Sequence, residues 1–129
     1  MQNQRLNFGD RINLMEEDVR LYYTALRDYL LSFKKVKNRL SIRCDSFRLG
    51  GELICKMAIG GKTLKIFLAV DATKEEVRSK KLHFRDMSSS LAYKEVPAMI
   101  PVKSELCVNK VIEVIDLMMK ERGATKKNK

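Results

Sequence analysis

Leu53, Cys55, Met57 and Ile59 alternate with Glu52, Ile54, Lys56 and Ala58; after Gly60-Gly61 the pattern resumes, with Leu64, Ile66, Leu68 and Val70 set against Thr63, Lys65, Phe67 and Ala69. A side-chain period of two is that of a half-buried strand, and glycine readily adopts the positive φ that tight hairpin turns require. Two such runs joined by Gly-Gly predict a β-hairpin. Taking Gly60-Gly61 as the loop, Ile59 faces Lys62, Met57 faces Leu64, Cys55 faces Ile66 and Leu53 faces Leu68. The apolar stripes then meet on one side of the sheet, as burial requires. The same register sets Lys56 opposite Lys65 and Ile54 opposite Phe67.

Around this hairpin the period changes. Asn13 with Glu16 reads as a helix start, followed by Val19, Tyr22, Tyr23, Leu26, Tyr29, Leu30 and Phe33 at helical spacing, and Lys34, Lys35 and Lys37 close the helix. From Arg39 the period falls to two, with Leu40, Ile42 and Cys44 apolar, which predicts a strand; residues 46–51 read as a turn or irregular loop. Residues 71–78 are polar. Leu82 and Phe84 suggest a short strand, and residues 97–102 a last one, whose two prolines suggest a sheet edge. Ser104 caps a final helix with Val108, Val111, Ile112, Ile115, Met118 and Met119 on one face and Gly123 as its stop. The order predicts an α+β fold, a mostly antiparallel sheet of about five strands with an N-terminal and a C-terminal helix on one face. Residues 1–11 read as a flexible arm, 12–123 as a single domain and 124–129 as a basic disordered tail.

Several stretches carry a family resemblance: Tyr22-Tyr23 and residues 30–35; Ser46-Phe47-Arg48; Gly61-Lys62-Thr63-Leu64 running on through residues 66–71; Lys81; Asp86 with Ser88; Val96-Pro97; and Val102-Lys103-Ser104. Over roughly residues 20–120 the chain resembles a family of small bacterial domains without an assigned function, some labelled predicted transport proteins. Ala72 stands where members usually have proline, so the turn after Asp71 is expected to differ. The resemblance implies an α+β fold and no particular activity.

Charge is unevenly placed. The chain of 129 residues has a formal net charge of +10, and residues 34–65 hold nine basic side chains against two acidic ones. A localised positive field suits an anionic partner. No apolar run approaches the ~20 residues of a membrane span, and the polar N-terminus lacks a signal-peptide core. Cytoplasmic placement without a membrane partner is expected, with Cys44, Cys55 and Cys107 as buried thiols.

Catalytic and metal chemistry find little footing. His83 is the only histidine. Alternation turns it away from Cys44 and Cys55, and the cysteine spacings match no zinc pattern. Gly60-Gly61-Lys62-Thr63 is not a phosphate-binding loop, because position 56 is lysine where that motif has glycine and a strand follows where it has a helix. The expectation is a non-enzymatic module without a cofactor.

If helices cover the Leu53, Cys55 and Met57 side, the other side presents Arg43, Lys56, Lys65, Phe67, His83 and Arg85. This is the candidate surface for an anion, with RNA or single-stranded DNA the first candidates. Opposed Lys56 and Lys65 would repel by about 0.2–1 kcal/mol, which a bound polyanion would relieve, and Phe67 would offer a stacking surface. The alternative is a protein–protein module docking through Phe47, Arg48, Phe67 or a sheet edge.

Overall fold

The computed structural model describes residues 7–127. In chain order its elements are α1 (Phe8–Asn13), α2 (Glu17–Leu31), β1 (Val36–Leu40), β2 (Cys44–Leu49), β3 (Glu52–Gly60), β4 (Thr63–Leu68), α3 (Glu75–Arg78), β5 (Arg85–Asp86), β6 (Ala98–Val102) and α4 (Glu105–Glu121). The fold is α+β. Among the described residues there are six strands, one more than expected, in the order β1-β2-β3-β4-β6-β5 with every neighbouring pair antiparallel.

The long helices form where the apolar spacing predicts them. Tyr23, Leu26 and Leu30 are the buried stripe of α2, and Val108, Val111, Val114, Ile115, Met118 and Met119 that of α4. Ser104 Oγ accepts the Cys107 N–H at 3.1 Å, satisfying one orphan donor of the first turn of α4. Gly123, at φ 66°, ends the helix. Tyr29 OH donates to the Asp116 carboxylate, tying α2 to α4. Asn13 is not the cap of α2: it is the last residue of α1, whose own cap is Asn7, its Oδ1 accepting from the Asp10 N–H at 2.7 Å.

Two apolar clusters lie on the two faces of the sheet. Phe8, Leu26, Leu30, Val111, Ile115 and Met118 of the helices share one cluster with Phe47, Cys55, Met57, Leu64, Ile66 and Ile100 of the strands. Alternate strand positions supply Cys44, Ala58, Phe67 and Met99 to a second, completed by Leu53 and Val96. We call the sides of the sheet bearing these clusters the first and second faces. Leu53 and Ile54 have exchanged sides relative to expectation. Phe47 pairs with Cys55 but Arg48 with Leu53, so Ile54 is a bulge residue without a partner on β2. The bulge carries Ile54 into the first cluster and Leu53 into the second.

The predicted hairpin exists with its loop one residue later. Gly60 pairs with Thr63, Ile59 with Leu64, Met57 with Ile66 and Cys55 with Leu68. Of the loop residues Gly61 and Lys62, only Gly61 has positive φ, 62°, the pattern of a II′ rather than an I′ turn. Every partner moves by two positions, so every side chain keeps its face. In the expected register Lys62 would lie beside Ile59 on the buried face, whereas here it is exposed in the loop. The desolvation of an ammonium group decides between the registers.

Four further expectations are corrected. The run from Arg39 to Cys44 is not one strand: residues 41–43 turn the chain, closed by the Ser41 N–H donating to the Cys44 carbonyl at 2.9 Å. Leu40 is accordingly 53% exposed, and of residues 46–51, expected as a loop, 46–49 belong to β2 and only Gly50 and Gly51 form the turn to β3. Leu82 and Phe84 precede a strand of only two residues. Strand β6 lies between β4 and β5, not at an edge; β5 reaches only Met99 and Ala98, which leaves Pro101 where β6 has no outer neighbour.

At both ends of the described residues the chain is tied down further than expected. Phe8 is fully buried, its ring edge-on to Tyr23 at 5.2 Å, so residues 8–11 belong to α1 and Phe8 to the core; residues 1–6 of the expected arm lie outside the described residues. Near the C-terminus the Lys34 N–H donates to the Thr125 carbonyl and the Lys127 N–H to that of Ser32, both at 2.8 Å. The Lys126 ammonium lies 4.3 Å from the Tyr29 ring centroid. The expected loose tail is thus a pinned segment through residue 127, and residues 128–129 lie outside the described residues.

Candidate functional site

Strand pairing sorts the charged side chains of the sheet by sign. Directly paired residues project to the same side, so Arg39, Ser46, Lys56, Phe67, Met99 and Arg85 form one row across all six strands of the second face. Cys44, Ala58, Lys65 and Pro101 form the next row on one side, and Lys37, Arg48 and Leu53 the next on the other. The strand residues of this face therefore include six cations, Lys37, Arg39, Arg48, Lys56, Lys65 and Arg85, and no carboxylate. The strand acids Asp45, Glu52 and Asp86 pair into rows with Met57, Leu49 and Ala98, all on the first face. Arg43 adds an exposed cation in the turn between β1 and β2.

The like-charge opposition expected of Lys56 and Lys65 does not exist, because Lys56 pairs with Phe67 and Lys65 with Ala58. It occurs instead between Lys37 and Arg48 on the β1–β2 pair. The ion pairs of the described residues are Arg27–Asp28, Lys74–Glu121, Lys80–Glu113 and Arg122–Glu52, and none involves a cation of this face.

Phe67 is not exposed. It is 3% accessible, because residues 87–96 cross this side of the sheet and lay Tyr93 on it, ring centroids 3.9 Å apart and planes 5° from parallel. Val96 is buried and Met87 half-buried in the same cluster. Lys56 holds this crossing in place, its ammonium donating to the Ala92 carbonyl at 2.8 Å and standing 5.4 Å from the Tyr93 ring centroid. Burial pushes the Tyr93 phenol up, and the nearby Arg43 guanidinium pulls it back. The crossing covers the middle of the face, leaving Lys37, Arg39, Arg43 and Arg48 exposed to one side and Arg85 to the other. The Lys65 stem lies across Gly60, and the Arg48 guanidinium donates to the Gly51 carbonyl at 3.2 Å.

The structure thus brings Arg43, Lys56, Lys65, Phe67 and Arg85 to one face, together with Arg48. It separates His83, which is exposed beside a cavity of ≈ 480 Å³ lined also by Lys81, Lys103, Lys110 and Cys107. Cys107 keeps its proton there: its thiol donates to the Pro101 carbonyl at 3.6 Å, and burial pushes its pKa up. Cys44, expected on the first face with Cys55, lies on the second. Phe47, expected as a protein contact, is fully buried in the first cluster. Among the described residues no group of three or more His, Cys, Asp or Glu side chains is arranged to hold a metal, and no helix is long and apolar enough to cross a membrane.

Sequence reasoning missed Lys37, Arg39 and Tyr93. The first two alternate with Val36, Asn38 and Leu40, a signal hidden once Lys37 was read as the end of a helix.

Residues that carry the family resemblance have an evident structural part. Asp71 Oδ1 accepts the Thr73 N–H at 2.9 Å, and Asp86 Oδ1 the Ser88 N–H at 2.9 Å, so each aspartate closes its own turn. Both turns line a cavity of ≈ 670 Å³ with Pro97, Ala98 and Arg122. The Arg122 guanidinium is already occupied by Glu52 and by the carbonyls of Ala69 and Met118. No protein-family model, curated protein or solved structure matches this chain.

Proposed function

We propose that the chain is a non-enzymatic module that binds an anionic partner, nucleic acid the first candidate, through the second face of its sheet. One observation carries this reading: six strand cations and no strand carboxylate share that face, and the strand acids share the other. Self-repulsion makes such segregation unfavourable without an opposing charge, by about 0.2–1 kcal/mol for the opposed Lys37 and Arg48 alone. In this reading α2 and α4 lie over the first face, leaving the second to the ligand. Three free thiols suit a reducing compartment such as the cytoplasm.

The test is the salt dependence of binding. Contacts from Lys37, Arg39, Arg43 and Arg48 to four phosphates of a single strand give a slope of log K against log salt of about −3. A flat response, or no retention on mixed RNA and DNA at ~50 mM salt, rules the reading out.

A protein-docking reading has one observation in its favour. Among the described residues strand β1 pairs only with β2, and Leu40 and Ile42 are exposed at and just after its end. Retention of partners from an extract that survives nuclease treatment would favour a strand added at this edge; retention lost on nuclease treatment favours nucleic acid.

A further inference from the structure

Tyr93 is the aromatic that the cationic face displays. One side of its ring lies on Phe67 at 3.9 Å and nearly parallel; the residue as a whole is only half-buried. Phe67 is itself fixed between its strand neighbours Lys56 and Met99. The backbone at Tyr93 is held by the Lys56 ammonium on the Ala92 carbonyl and by the Val96 N–H donating to the Tyr93 carbonyl at 2.9 Å. The ring is therefore positioned before any ligand arrives, which reduces the ordering cost of a partner stacking on it. The Lys56 ammonium stands 5.4 Å from the Tyr93 ring centroid, and Arg43, in the turn between β1 and β2, acts electrostatically on the phenol. A π-surface with cations alongside meets the two parts of an unpaired nucleotide, base and phosphate, whereas a duplex keeps its bases paired and stacked internally.

We infer that Tyr93 is a base-stacking residue, extending the Phe67–Tyr93 stack by one nucleobase, and that the ligand of this face is a single-stranded polynucleotide. The inference rests on the polyanion reading above and adds to it that bases contribute as well as phosphates.

The experiment compares a labelled oligonucleotide of about twelve thymidines with an abasic strand of equal length and charge, by fluorescence anisotropy at ~50 mM salt. A ribo-uridine strand run in parallel shows which backbone is preferred. The base-bearing strand should bind about fivefold tighter or more than the abasic one. Tyr93→Leu, which still covers Phe67 with an apolar side chain, should erase that difference; Tyr93→Phe should keep it. Circular dichroism establishes that each variant is folded. Equal binding of the two strands by the wild-type chain overturns the stacking role while leaving the polyanion reading in place. A difference that persists in Tyr93→Leu overturns it also. Failure of both strands to bind removes both inferences together.

Discussion

Asp45 is the one charged side chain fully buried in the described structure, and its surroundings allow a quantitative test. Tyr23 OH donates to Oδ2 at 2.6 Å, and the Asn38 amide donates to both carboxylate oxygens at 3.0 and 3.1 Å. Burial lifts the Asp45 carboxyl above its usual range, while the bonds from Tyr23 and Asn38 and the charge of Arg27 hold it back. The folded state thus binds this proton more tightly than the unfolded one. The group's contribution is fully present below the unfolded pKa of about 3.9 and is lost as pH rises through the higher folded value. Tyr23→Phe deletes a donor that favours the carboxylate, so it raises the folded pKa further and steepens that loss. At pH 7 the missing bond is one to a charge, about 1.5–3 kcal/mol; near pH 4 it approaches a neutral one, about 0.5–1.5 kcal/mol. With a urea m-value of roughly 2 kcal/mol/M, the unfolding midpoint should fall by about 1 M at pH 7 and by about half that near pH 4. In an Asp45→Asn background the cost of Tyr23→Phe should no longer depend on pH. An equal cost at both pH values in the otherwise unaltered chain would show that the phenol does not serve a buried carboxylate.

At the hairpin, Gly61→Ala forces a side chain onto φ 62° and should destabilise by about 1–2 kcal/mol, whereas at Gly60 an added methyl meets only the flexible end of Lys65 and should cost less in the same denaturation assay. Of the three thiols, Cys107 alone should react with an aromatic disulfide reagent in the folded chain, and slowly, because burial favours its protonated form; fast labelling of Cys44 or Cys55 would contradict their burial. Removing residues 125–129 should speed hydrogen exchange at the Lys34 N–H, whose acceptor is Thr125, while leaving the amides of β3 and β4 protected; unchanged exchange at Lys34 would mean that the tail does not hold there in solution.

Where a residue's neighbours in sequence settle its environment, the fold could be read ahead of the structure. The stripes of α2 and α4 and the faces of β4 follow from spacing, and the Ser104 cap and Gly123 stop from residue type. The loop of the hairpin was misplaced by one position, but that error moves partners by two and keeps parity, so the sides of Lys65 and Phe67 came out right with their partners wrong. The Ile54 bulge left no trace, because Leu53, Ile54 and Cys55 are all apolar and either face accepts either residue. The turn at residues 41–43 lacks glycine and continues the apolar alternation through Ile42, so period alone extended a strand across it. The covering of Phe67 depends on a contact between Tyr93 and a residue 26 positions earlier, which no local pattern signals. The charge excess of residues 34–65 was legible as a count, and its confinement to one face required the register.

The bridge between Phe33 and Lys126 joins segments at opposite ends of the described sequence, so it sets an order on how the molecule can be completed. The acceptor for the Lys34 N–H and the donor for the Ser32 carbonyl both come from residues 125–127, long after α2 and β1 in the chain. Until that segment docks, the C-terminal end of α2 has its aromatic pair, Tyr29 and Phe33, without the Lys126 cation and its backbone without these partners. Contacts so distant in sequence form slowly and late. A refolding chain would thus form its sheet with an open seam between α2 and β1, and the docking of residues 125–127 would close it.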